Sequence, residues 1–149
     1  MTAEQRKSYI LLVDDDPNDR ELAQIAFADL AADGGGEPPT VHLAAGGQEA
    51  LDFLTTRAGS PSDLPDVVLL DLNMPQVDGL SVLQAIRQHP GTATLPVVML
   101  STSDEHSDVQ RAYALGANAY VVKPLEYDLF RRTIASVLDF WTGQNQLSH

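Results

Sequence analysis

This chain of 149 residues contains no cysteine, which excludes a disulfide framework and any thiolate metal site. Basic residues are scarce too. Nine Lys and Arg stand against 21 Asp and Glu, a formal net charge of −12, and such a surface has no electrostatic footprint for a nucleic acid. No apolar run approaches the ~20 residues of a membrane span. The polar start, Met1 to Ser8, has no signal-peptide core. No GxGxxG or Walker pattern follows a strand, so Gly46 and Gly47 belong to a loop rather than to a phosphate cradle. The four histidines are scattered, and none is read as a ligand. A cytoplasmic protein without membrane or nucleic-acid partners is expected.

What is present is an ordinary globular composition, 44% hydrophobic and 20% charged, at a length that one domain fills. Short β-prone runs alternate with helical periodicity. The runs are Tyr9 to Val13, Thr40 to Ala44, Val67 to Asp71, Pro96 to Leu100 and Ala119 to Val122. Helices are expected over about 17–32, 48–57, 80–89, 105–115 and 127–141. Asp16 before Pro17 reads as an N-cap followed by proline at the first helical position. Leu22, Ile25, Ala26 and Leu30 mark the apolar face of that first helix, and Gly116 reads as a helix-ending C′ glycine. A loop is expected over Asp33 to Pro39, and Pro75 closes the third strand segment. Five β–α units predict an α/β fold: a doubly wound, flavodoxin-like parallel sheet of order 2-1-3-4-5 in three layers.

A parallel sheet delivers every strand's carboxyl end to one edge, where such folds bind ligands. Here those ends carry Asp14, Asp15 and Asp16, then Asp71, then Ser101 and Thr102, then Lys123. Crowded carboxylates repel and hold protons unless a cation neutralises them. A hard divalent ion such as Mg²⁺ suits an oxygen-only site of this size. Asp71 then becomes a nucleophile toward phosphorus, with Lys123 and Ser101 placed to neutralise and hydrogen-bond the transferred group.

The acidic pair after the first strand, Asp71 with Asn73 and Pro75, Asp78-Gly79, Ser101 and Lys123-Pro124 together resemble the receiver domain of bacterial response regulators. The resemblance covers about residues 8–140. It implies a single receiver domain over 1–149, with its core at about 8–141, short polar tails and no output domain. It makes Asp71 the phospho-acceptor and Lys123 the phosphoryl clamp. Asp15 becomes the direct ligand of Mg²⁺ (or Mn²⁺), together with Asp71, the Asn73 carbonyl and the acidic pocket of Asp14. Ser101 and Tyr120 become the switch pair, while Asn73 and Ser103 tune hydrolysis. A cis bond is implied before Pro124. Gly116 to Leu125 and the ending Asp139 to Trp141 resemble, more narrowly, the stand-alone regulators paired with phytochrome histidine kinases.

The function expected on this resemblance is phosphoryl transfer from a sensor histidine kinase, followed by a change at the surface of the fourth helix, fifth strand and fifth helix. Catalysis extends only to the protein's own phosphorylation and dephosphorylation. Onward phosphotransfer or a phosphate sink are alternative outputs. An Mg²⁺-dependent aspartyl phosphatase is a further reading, although Asn73 stands where such enzymes place a second Asp. In the last helix Tyr127, Phe130, Ile134, Val137, Leu138 and Trp141 form the core stripe. Leu129 and Phe140 lie off it, and with Trp141 they are candidates for a homodimer patch.

Overall fold

The most apolar segments of the chain become five short strands, and all five pair in parallel. The computed structural model describes residues 9–34, 39–74 and 77–144. The tails, Pro75 and the middle of the 33–39 loop lie outside the described residues. Strands β1 (Tyr9–Val13), β2 (Thr40–Ala44), β3 (Val67–Asp71), β4 (Val97–Ser101) and β5 (Ala119–Val122) alternate with helices α1 (Pro17–Gly34), α2 (Gly47–Arg57), α3 (Gly79–Gln88), α4 (His106–Ala114) and α5 (Tyr127–Leu138). A 3₁₀ turn at Pro61–Asp63 precedes β3, and the chain continues past α5 as a π-helical segment, Asp139–Gln144. Strand order is β2-β1-β3-β4-β5, the flavodoxin-like arrangement expected from the alternation.

Burial follows position in the sheet. Every residue of β3 and β4 is buried, whereas the edge strands β2 and β5 are mostly half-exposed, as a sheet covered on both faces requires. Side chains alternate between two cores. Leu11, Val13, Val68, Leu70 and Met99 pack with Phe53, Leu54, Leu83 and Ile86 of α2 and α3. Ile10, Leu12, Leu69, Val98 and Leu100 pack with Ala23, Phe27, Ile134 and Val137 of α1 and α5. Each fully buried Leu or Ile contributes about 1.5–3 kcal/mol, so the central strands dominate the apolar energetics. The register pairs Val13 with Leu70, Asp71 with Leu100 and Ser101 with Val122. Four strands, β1, β3, β4 and β5, therefore end side by side.

Three expectations need correction. The buried face of α1 is Ala23, Ala26 and Phe27, with Leu22 and Ile25 exposed; small alanines let the helix approach the sheet, and Phe27 fills the remaining space. The bond before Pro124 is trans, since no described peptide bond is cis. Trans is the lower state of such a bond by about 0.5–1 kcal/mol, and Lys123 is already tied back to the sheet by its N–H on the Ser101 carbonyl at 2.7 Å. The last helix changes pitch after Leu138 instead of continuing as one α-helix. Gly116 behaves as expected, with φ +104 and its N–H on the Tyr113 carbonyl.

Candidate functional site

The acidic edge is assembled by backbone first. Asp16 caps α1 by accepting the Asn18 N–H at 2.8 Å, which leaves Asp14 and Asp15 in the turn between strand and helix. Asp14 is buried. One of its carboxylate oxygens accepts the Asp16 N–H at 3.0 Å and the other accepts from the Lys123 ammonium at 3.0 Å. Asp15 is half-exposed and has no hydrogen-bond partner among the described residues. Asp71, buried at the end of β3, accepts the Asn73 N–H at 3.3 Å. Behind it Gly79 opens α3 so close that a Cβ there would overlap the Asp71 carbonyl and come within 2.8 Å of the Leu72 Cα.

Lys123 reaches back from the end of β5. Its ammonium lies 3.0 Å from Asp14, 3.2 Å from Asp19 and 4.0 Å from Asp71. Asp15, Asp19, Asp71, Asn73, Thr102 and Lys123 line an open cleft of ≈ 320 Å³. The electrostatics follow the crowding. Burial pushes the Asp71 carboxyl up to about 6, Asp14 and Asp15 push the same way, and Lys123 and the Asn73 N–H only partly oppose them. Burial likewise raises Asp14 despite its bonds to Asp16 and Lys123. For Lys123, burial alone would lower the pKa, but Asp14, Asp71 and Asp19 outweigh it and leave the ammonium raised.

Carboxylate oxygens of Asp14, Asp15 and Asp71 all lie within 4.8 Å of one another. Three acids that close, two of them driven toward their protonated forms, make a donor set that a divalent cation fits. Asp15 and Asp71 have oxygens to offer it. Both oxygens of Asp14 already accept hydrogen bonds, from the Asp16 N–H and the Lys123 ammonium.

Ser101, fully buried, sits at the end of the neighbouring strand. Its hydroxyl oxygen accepts from the Asn73 side-chain amide at 3.3 Å and from the Ser103 N–H at 3.0 Å. The Ser103 hydroxyl turns away from the cleft to the start of α4, where it donates to Asp108 at 2.8 Å and accepts the Glu105 N–H at 3.2 Å. Its carbonyl accepts the Tyr120 hydroxyl at 2.7 Å. Ser101, Ser103, α4 and Tyr120 thus form one bonded chain. Pro124 lies just beyond Lys123. Leu129 and Phe140 are 46% and 56% exposed, while Trp141 is half-buried with its ring edge-on to Phe140.

The structure brings Asp14, Asp15, Asp71, Asn73, Ser101 and Lys123 together as the strand ends required. Asp19 is the site residue that sequence reasoning missed. Its signal was its place three residues after the Asp16 cap, in the first turn of a helix that starts at the acidic edge.

A family model for the response regulator receiver domain matches residues 10–135. The probable methanogenesis regulatory protein FilR2 of Methanothrix harundinacea is 36% identical over 92% of this chain and 85% of its own. Response regulator Rcp1 of Synechocystis is 34% identical over 89% and 87%. Its Mn²⁺-bound crystal structure superposes with a TM-score of 0.75 at 30% identity, covering 90% of this chain and 94% of that one. The phosphorylated cyanobacterial phytochrome response regulator RcpA gives a TM-score of 0.79 at 31% identity, covering 93% and 96%.

Proposed function

Because this chain belongs to the response regulator receiver family of two-component signalling, we propose that it accepts a phosphoryl group on Asp71 from the phosphohistidine of a sensor histidine kinase. The observation that carries the reading is the convergence of Lys123 with Asp14, Asp15 and Asp71 from three different strand ends. An Asp71 carboxylate oxygen attacks phosphorus, the P–N bond to imidazole breaks, and the imidazole nitrogen leaves with the bonding pair and takes up a proton. Lys123, a raised ammonium, stays charged throughout and neutralises the phosphoryl oxygens. Mg²⁺ (or Mn²⁺) would be held by Asp15, Asp71 and the Asn73 carbonyl with Asp14 outside them, and when bound it supplies positive charge for those same oxygens. The Mn²⁺-bound Rcp1 neighbour supports a divalent cation at such a site.

The output is a population shift. A phosphoryl group on Asp71 draws the Ser101 hydroxyl toward it, at the expense of its bonds from Asn73 and Ser103. Tyr120, bonded to the Ser103 carbonyl, follows, and the α4–β5–α5 surface changes. Asn73 and Ser103 set how readily this happens and how fast the acyl phosphate hydrolyses. The likeness to RcpA supports a phytochrome-type kinase as donor. Leu129, Phe140 and, at its exposed edge, Trp141 form the patch on which a homodimer would close.

The test is labelling by acetyl phosphate and by a panel of phosphorylated histidine kinases in Mg²⁺, read by intact mass. The wild-type chain gains one phosphoryl group and Asp71→Asn gains none; undiminished labelling of Asp71→Asn removes the acceptor. Transfer from labelled protein to a second histidine domain identifies onward relay, and the absence of any such transfer leaves a terminal switch or sink.

A further inference from the structure

Lys123 is the most contested group in the cleft. An ammonium has three donors, and two are committed to Asp14 at 3.0 Å and Asp19 at 3.2 Å. Asp71, at 4.0 Å, is beyond hydrogen-bond range. The lysine thus gives its hydrogen bonds to the α1 side of the cleft and meets Asp71 only as a longer ion pair. Its two partners are not equivalent. The Asp14 carboxylate is 4% exposed and held by a second bond from the Asp16 N–H, whereas Asp19 is 41% exposed. Water can replace the ammonium at Asp19 but not at Asp14, so Asp19 is the partner that Lys123 can leave.

We propose that Asp19 is a positioning residue that holds Lys123 away from Asp71 and competes with an incoming phosphoryl group for its ammonium. The inference rests on the receiver reading and deepens it. Lys123 exchanges Asp19 for a phosphoryl oxygen, so the strength of the Asp19 bond sets how tightly the group on Asp71 is clamped. An exposed pair of this kind is weak enough to yield, at about 1 kcal/mol or less.

The experiment is a double-mutant cycle on binding of beryllofluoride, a phosphoryl mimic, in Mg²⁺ by calorimetry, with Asp19→Asn and Lys123→Met singly and together. Asp19→Asn is expected to tighten binding about fivefold in the presence of Lys123 and to have no effect in its absence. Asp19→Glu is expected to restore wild-type affinity. Equal tightening in both backgrounds would mean only a through-space charge effect and overturns the proposal, as does unchanged or weakened binding by Asp19→Asn. Melting curves check that each variant folds. Should the wild-type chain bind no beryllofluoride and accept no label, the receiver reading itself fails and takes this inference with it; label with an inert Asp19 sinks the inference alone.

Discussion

Asp71 is a carboxyl held where its charge is disfavoured. Its folded pKa, about 6, lies above the ordinary 3.8, so the folded state holds this proton more tightly than the unfolded chain does. The stability it contributes is complete below 3.8 and is lost as pH rises through 6. A cation on the deprotonated cluster reverses that loss. At pH 7.5, Mg²⁺ at about 100 times its Kd should add about 2.7 kcal/mol, raising the melting temperature by about 5–10 °C. At pH 5 the gain should shrink, because protons compete for the same oxygens, and Asp71→Asn should flatten the difference. Thermal melts with Mg²⁺ and with chelator at both pH values measure this; an equal gain at pH 5 and 7.5 contradicts it. At this scale the strand-end residues were legible because position alone placed them. Ser103 was singled out by resemblance alone, and the bonds of its hydroxyl to Asp108 and the Glu105 N–H were not legible, since a serine after a strand carries no mark of which neighbour it will cap. Asp19 was hidden by its company, one more acid in an acidic turn.

At the scale of the element, the β3–α3 connection is the tightest joint near the site. Gly79 leaves no room for a side chain against the Asp71 and Leu72 backbone, whereas a Cβ at Gly46 would meet nothing within 4 Å. Gly79→Ala should therefore cost about 1–3 kcal/mol of overpacking and, on the proposed reading, slow labelling of Asp71, because the Asp71 backbone must shift. Gly46→Ala should change stability by no more than about 1 kcal/mol. Urea unfolding of both variants checks the contrast, and a neutral Gly79→Ala removes the close approach. Helix and strand identities were legible throughout, since apolar runs of five and periodic helices rarely exchange roles. The orientation of α1 was not. A helix carrying apolar residues at 22, 23, 25, 26, 27 and 30 has two plausible stripes, and hydrophobicity favours Leu22 and Ile25 while close packing selects Ala23 and Ala26. The π-helical turn after Leu138 has no sequence signal of comparable strength.

For the whole molecule, the order of β–α alternation was enough to deduce the sheet and hence which residues meet. Association is a different matter, because the exposed Leu129 and Phe140 that continue the α5 surface show an apolar patch without its partner. A dimer mass is expected in light scattering, and Phe140→Asp should return the protein to a monomer with its melting temperature changed by less than about 2–4 °C, the equivalent of 1 kcal/mol at this chain length. A monomer at all concentrations, with and without phosphoryl mimic, excludes the patch as an interface.

The bond between Lys123 and Asp14 joins residues 109 positions apart, one after the first strand and one after the last. A ribosome-bound chain that has not yet delivered its fifth strand holds Asp14 and Asp71 without Lys123. On the receiver reading, the full set of groups around a phosphoryl oxygen would therefore assemble only once β5 has been made and paired with β4.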